Sequence, residues 1–267
     1  MPDGVRSVIQ GDLWVPEKIG MQDGFLLASG NEGGRKKAVG AMMLAEFAEI
    51  GVTREESKVL RFAKRYGPIG FCKHGLPYGH NRQSFARLIN VGDCNPMPAL
   101  VAGWDQGEPV TLWFEFAKQA QAILACSESL HRGKMPVLDD LKTVYPPWFK
   151  QRPKQQSLPN LATSRGLVEG VINTWVHLGG LRPHFRWNRS GCSVIFSTGD
   201  YCSVFGALAV QLMLAAANQE GFAICSHCGM AFFPKRRPNP RRRRFCRICG
   251  IRAAWRYSKQ TLRAVKD

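Results

Sequence analysis

Cys225-Ser226-His227-Cys228 and Cys246-Arg247-Ile248-Cys249 form two Cys-x2-Cys pairs, with seventeen residues between Cys228 and Cys246. Two residues between thiols let one turn present both to a single ion, and this separation of the pairs is that of a structural four-cysteine zinc site. Four thiolates at about 2.3 Å would close a tetrahedral shell with no open position, so such a site stabilises a fold and does not catalyse. Gly229 allows the tight backbone of a knuckle after the first pair. Ala231-Phe232-Phe233 and Arg244-Phe245 read as two short strands joined by the tip Pro238-Asn239-Pro240, with Cys246 and Cys249 at the entry to a final helix. The expectation is a treble-clef or ribbon-like zinc finger over residues 221–267. Free thiols on a flexible tail are the alternative, and the paired spacing speaks against them. His227 stands inside the first pair, but four cysteines already fill the shell, so it is expected at the surface.

Charge says what this module meets. Residues 221–267 carry thirteen Lys and Arg against one acid, Asp267. A zinc tetrathiolate offsets only a small part of that excess, so the segment attracts polyanions. Arg236, Arg237, Arg241, Arg242, Arg243 and Arg244 lie between the cysteine pairs. Beyond them, Arg252, Arg256, Lys259 and Arg263 recur at intervals of four, three and four, which places them on one face of a helix. Ile251, Trp255, Leu262 and Val265 make the adjoining apolar stripe. A solvated charged face is the bland alternative, though mixed signs would then be expected.

Cys249-Gly250-Ile251-Arg252 resembles the Cys-Gly-Asn-Arg signature of the CGNR zinc-finger proteins, with Ile251 where the signature has asparagine. The apolar segment of residues 205–233, running into a cysteine knuckle, is similar to the approach to that finger. In the family the finger often follows an ABATE domain in stress-induced transcription regulators, so the resemblance implies bacterial DNA binding and transcription regulation. It covers about the last quarter of the chain.

The remainder reads as one α-rich sensing or assembly domain over residues 1–220, giving an α+β protein with short strands and a hairpin. The chain of 267 residues, 45% apolar, can bury one sizeable core plus a small appended unit. A net charge of +17 and a pI near 9.9 favour anionic partners. The longest apolar stretch, residues 201–218, contains Gly206 and Gln211 and is shorter than the roughly 20 residues that span a bilayer. It reads as a buried helix, so no membrane is expected. Asp3 and the lack of an apolar run near it show no secretory signal, and a cytoplasmic protein follows as the default.

Short apolar pieces such as Leu13-Trp14-Val15 and Phe25-Leu26-Leu27 suggest strands. Residues 29–37, rich in glycine and charge, read as a mobile loop without the Gly-Lys-Ser/Thr of a phosphate loop. Helical periodicity marks residues 39–48, 53–66, 111–132, 161–178 and 203–218, the second with Thr53 and Glu56 as a capping box. Residues 182–187 and 192–197 read as a hairpin and residues 134–160 as a connector.

A second metal candidate lies in the loop-like block of residues 67–107. There Cys72, His74, His80 and Cys94 put four borderline ligands in one Gly/Pro-rich stretch, a Cys2His2 zinc site or unconnected polar loop residues. Cys126, Cys192 and Cys202 read as core thiols. No catalytic residues are assigned, because the adjacent carboxylates Glu55-Glu56 and Asp139-Asp140 are neighbours in sequence and rarely make an acid/base pair. The reading is therefore a protein with one zinc ion, or two, that holds nucleic acid and is not an enzyme. Duplex DNA is favoured over RNA. An RNA-binding module stacking bases on Phe232, Phe233, Trp255 and Tyr257 is the first alternative, and a nuclease with catalytic groups in the first domain the second.

Overall fold

In the computed structural model, four short strands open the part of the chain described here, which comprises residues 12–29, 34–40, 42–70, 106–151, 159–188, 191–197, 203–217, 223–225, 227, 231–232, 244–246 and 249–251. β1 (Leu13–Val15) and β4 (Arg35–Lys37) pair antiparallel, as do β2 (Lys18–Gln22) and β3 (Phe25–Ser29). Asp23 and Gly24 join β2 to β3 with φ of 49° and 75°. Two successive positive φ values are those of the type I′ turn that Asp-Gly favours between twisted strands. Residues 34–37 thus leave the loop expected of them, because Arg35, Lys36 and Lys37 lie opposite Val15, Trp14 and Leu13.

Helices α1 (Met43–Thr53) and α2 (Glu56–Tyr66) follow. The capping box expected at Thr53 does not form. Thr53 belongs to the last turn of α1, where its hydroxyl donates to the Glu49 carbonyl, and Arg54 stops the helix in the left-handed region. β5 (Gln106–Pro109) then pairs with β3 to complete a three-stranded antiparallel sheet, β2-β3-β5. The buried carboxylate of Glu108 accepts from the backbone N–H of Ile69 and Gly70 and from the Trp113 indole, which ties this strand to the end of the α2 segment.

The long helix α3 (Val110–His131) runs through the centre. The expected connector holds two short helices, α4 (Leu138–Val144) and α5 (Pro146–Gln151), and Pro146 and Pro147 sit in the first turn of α5, where their missing N–H groups cost no helical hydrogen bond. α6 (Leu161–Leu178) starts at Asn160, whose side chain accepts from Thr163 N, and ends at Gly179-Gly180 as expected. The hairpin of β6 (Arg182–Asn188) and β7 (Gly191–Ser197) forms in the expected place. α7 (Val204–Ala216) begins at the Ser203 cap, and every one of its residues but Met213 is buried.

The core is one cluster that runs from Leu13 through α1, α2, α3, α6 and α7 to Ile224. At its centre Trp175 stacks on Phe205 at 4.6 Å, and Phe116 meets both rings edge-on. Gln119 is the polar tie here, donating to the Val144 carbonyl and accepting from the Trp175 indole. The protein is helix-rich with small antiparallel sheets, in agreement with an α+β class. Among the described residues no helix is long and apolar enough to cross a membrane.

Candidate metal centre

β8 (Ala223–Ile224) and β9 (Ala231–Phe232) form a two-stranded antiparallel ribbon with Ile224 opposite Ala231. Residues 225–230 connect them, so Cys225 leaves β8 at the start of the turn. The pairing differs from the one expected, in which Ala231-Phe232 would lie beside Arg244-Phe245. Arg244, Phe245 and Cys246 are half-buried and belong to no strand. The physical reason is burial more than proximity: a six-residue connection saves only about 0.5 kcal/mol of closure entropy over the longer span to Arg244, whereas Ala223 and Ile224 are fully buried and Arg244 and Phe245 are not.

The second pair is shaped by a helical turn. Gly250 N donates to the Cys246 carbonyl at 2.7 Å, and helix begins at Cys249, as expected for the entry to the last helix. Phe245 lies against this turn, 3.7 Å from where a Cβ on Gly250 would stand.

These two pieces bring the Sγ atoms of Cys225, Cys246 and Cys249 within 4.8 Å of one another. Cys225 is 1% exposed and Cys249 6%, while Cys246 is half-buried and forms the solvent side. None of the three is in a disulfide. Three sulfur donors from segments twenty residues apart, converging at the edge of an apolar core, can hold a metal ion. The geometry fits one: thiolates around a tetrahedral ion at about 2.3 Å lie about 3.8 Å apart, so the trio closes on it with a shift of about an ångström at most.

His227 is exposed, as expected. Cys228 lies outside the described residues, as do Arg236, Arg237, Arg241, Arg242, Arg243, Arg252, Arg256, Lys259 and Arg263, and the second candidate set Cys72, His74, His80 and Cys94. Cys126 is fully buried on α3, in keeping with a core thiol. Burial, with a smaller push from the Asp140 carboxyl, raises this thiol to about 12.

The sequence reading did not single out the residues that anchor the centre. Ala223 and Ile224 are both 0% exposed, and β8 packs against α3 and α7. Their signal was the apolar run Phe222-Ala223-Ile224 immediately before Cys225, hidden by the stronger motif beside it. No family model, curated protein or solved structure matches this chain.

Proposed function

We propose that the chain is a zinc-dependent nucleic-acid-binding protein, with duplex DNA as its partner. The carrying observation is the convergence of Cys225, Cys246 and Cys249 at the root of a segment whose charge is almost wholly positive. An all-sulfur donor set suits zinc over the hard cations, which take oxygen. Cys228 is the fourth ligand in this reading, because it sits in the six-residue β8–β9 connection, three positions after Cys225. The closed shell then has a structural role, in a finger of the treble-clef or ribbon kind.

Thirteen cations in residues 221–267 supply the affinity through phosphate contacts, with the Arg241, Arg242, Arg243 and Arg244 run and the Arg252, Arg256, Lys259 and Arg263 face as the contact groups. The resemblance to the CGNR signature supports a role in bacterial transcription regulation, with residues 1–220 as the part that senses or assembles. The test has two readouts on one preparation, elemental analysis for zinc and titration of a labelled duplex against structured RNA at equal salt. Zinc bound in a fixed ratio with preference for the duplex is expected. Protein without zinc, prepared in the absence of chelators, would overturn the reading.

A further inference from the structure

Several cations near α1, α2 and α3 are paired: Arg54 with Glu115 at 3.2 Å, Lys58 with Glu49 at 2.7 Å, and Arg65 with Glu46 at 2.8 Å. Three others, around β1, β2 and the end of α2, are not. Lys18, Arg35 and Lys64 line a groove of about 580 Å³ floored by Val15 and Ile19. Among the described residues none of these three cations forms an ion pair. Glu17 is the acid on the rim, and all four charged side chains are exposed.

The fold sets this arrangement up through backbone geometry. Register places Arg35 directly across from Val15, so its side chain stands on the same side of the ribbon and reaches α2. There its Nη2 donates to the Lys64 carbonyl at 3.0 Å, which fixes the guanidinium at the end of α2. Lys37, two residues along β4, extends the same side and lies 5.7 Å over the Tyr66 ring. The carboxyl end of α2 draws cations to it, but its partial charge is about half an elementary charge. Three full positive charges in one concave surface exceed what that helix end offsets, and a single Glu17 does not balance them.

We propose that this groove is a second phosphate-binding surface, which takes the backbone of the same duplex that the C-terminal segment binds. The inference rests on the nucleic-acid reading above and adds a contact region in the first part of the chain. Regularly spaced phosphates suit it, because three cations held in a shallow groove each meet a separate charge without needing a base to read.

The experiment compares the full-length, zinc-loaded protein with Lys18→Ala/Lys64→Ala in titrations of a short labelled duplex across a salt series. A control, Lys134→Ala/Lys142→Ala, removes the same charge around α4. All four residues are exposed, so the fold and zinc content stay as in the wild type. The groove variant should bind about tenfold more weakly at moderate salt, with a log–log salt slope shallower by about two, and the control should lose much less. Equal affinity of groove variant and wild type would overturn the groove and leave the zinc-finger reading standing. An equal loss in the control would overturn it too, since net charge alone would then be the cause. A wild type that binds no duplex at low salt would remove both.

Discussion

Gln211 on α7 caps the start of α1, its Oε1 accepting from the Leu44 N–H at 2.9 Å across a separation of 167 residues. Its Nε2 donates to the Gly40 carbonyl, also at 2.9 Å. α1 has Met42 at its N-cap and no side-chain cap of its own, so a glutamine from the most apolar helix does what a local Ser or Asp usually does. That accounts for one polar residue in a helix otherwise made of Val, Leu, Ala, Phe, Gly and Met.

Gln211→Leu should therefore destabilise the protein although it makes α7 more apolar. The Gly40 carbonyl keeps its bond from Met43 N, but the Leu44 N–H is left buried without an acceptor. One such group costs about 1–3 kcal/mol. Urea unfolding measures the loss, and amide exchange should localise it to Leu44. Unchanged stability with unchanged protection at Leu44 would show that the cap is dispensable.

Two glycines in helices should respond to alanine in opposite directions. At Gly51 a Cβ would collide with the backbone of Ala117 and Lys118 on α3, because α1 and α3 touch there main chain to main chain. Gly51→Ala should cost about 3 kcal/mol, since backbone cannot move aside as a flexible side chain can. At Gly166 on α6 a Cβ meets nothing within 4 Å. Gly166→Ala should stabilise by up to about 1 kcal/mol through helix propensity and a stiffer unfolded chain. Melting curves of the two variants decide the point, and a shift of the same sign in both would contradict the close approach at Gly51.

Helices with a local cap and a clean stop were legible in the sequence: Asn160 and Ser203 open α6 and α7, and Gly179-Gly180 closes α6. Elements that owe their state to distant partners were not. β4 is three basic residues that become a strand only because β1 lies beside them, and α1, expected as helix over residues 39–48, has bounds of 43–53 because its start is capped by Gln211 and its end by Arg54. Thr53 met the capping-box pattern but was already held in the preceding helix by its bond to Glu49. For the centre, spacing showed the two cysteine pairs, while the strand pairing behind the first pair depends on the burial of Ala223 and Ile224 against distant helices, which a short apolar run beside a strong motif does not by itself reveal.

Cys126 should be inert in the native protein. Its thiol is fully buried and raised to about 12, first by burial and then by the Asp140 carboxyl, so it stays protonated at pH 8. Iodoacetamide at that pH should modify it only after unfolding, as peptide mapping would show. The linkage has a definite sign: the folded thiol lies above the ordinary value of 9.0, so its contribution to stability is constant below about pH 9 and falls as pH rises toward 12. Asp140→Asn removes the nearby charge that adds to this shift, and should reduce the alkaline loss. Rapid native labelling of Cys126 would contradict the buried placement.

Removing the metal should weaken the whole molecule and not the last segment alone. Cys225 follows directly on Ile224, which belongs to the common core, and β8 packs against α3 and α7. Once Cys225 is released from its partners across the site, β8 is left with the short ribbon with β9 and its docking on α3 and α7 among the described residues. Undocking it exposes Ile224, whose burial alone is worth about 1.5–3 kcal/mol. In a chain of this size a loss of about 3 kcal/mol lowers the melting temperature by about 5 °C. Cys249→Ser, or a chelator strong enough to strip zinc, should thus move a single cooperative transition followed by tryptophan fluorescence, because Trp113 and Trp175 sit in the core that β8 joins. Apo protein that melts in two steps, with the tryptophans reporting only the second at the wild-type temperature, would mean that residues 221–267 unfold as a separate unit. The docking of Ile224 would then contribute little to the rest of the fold.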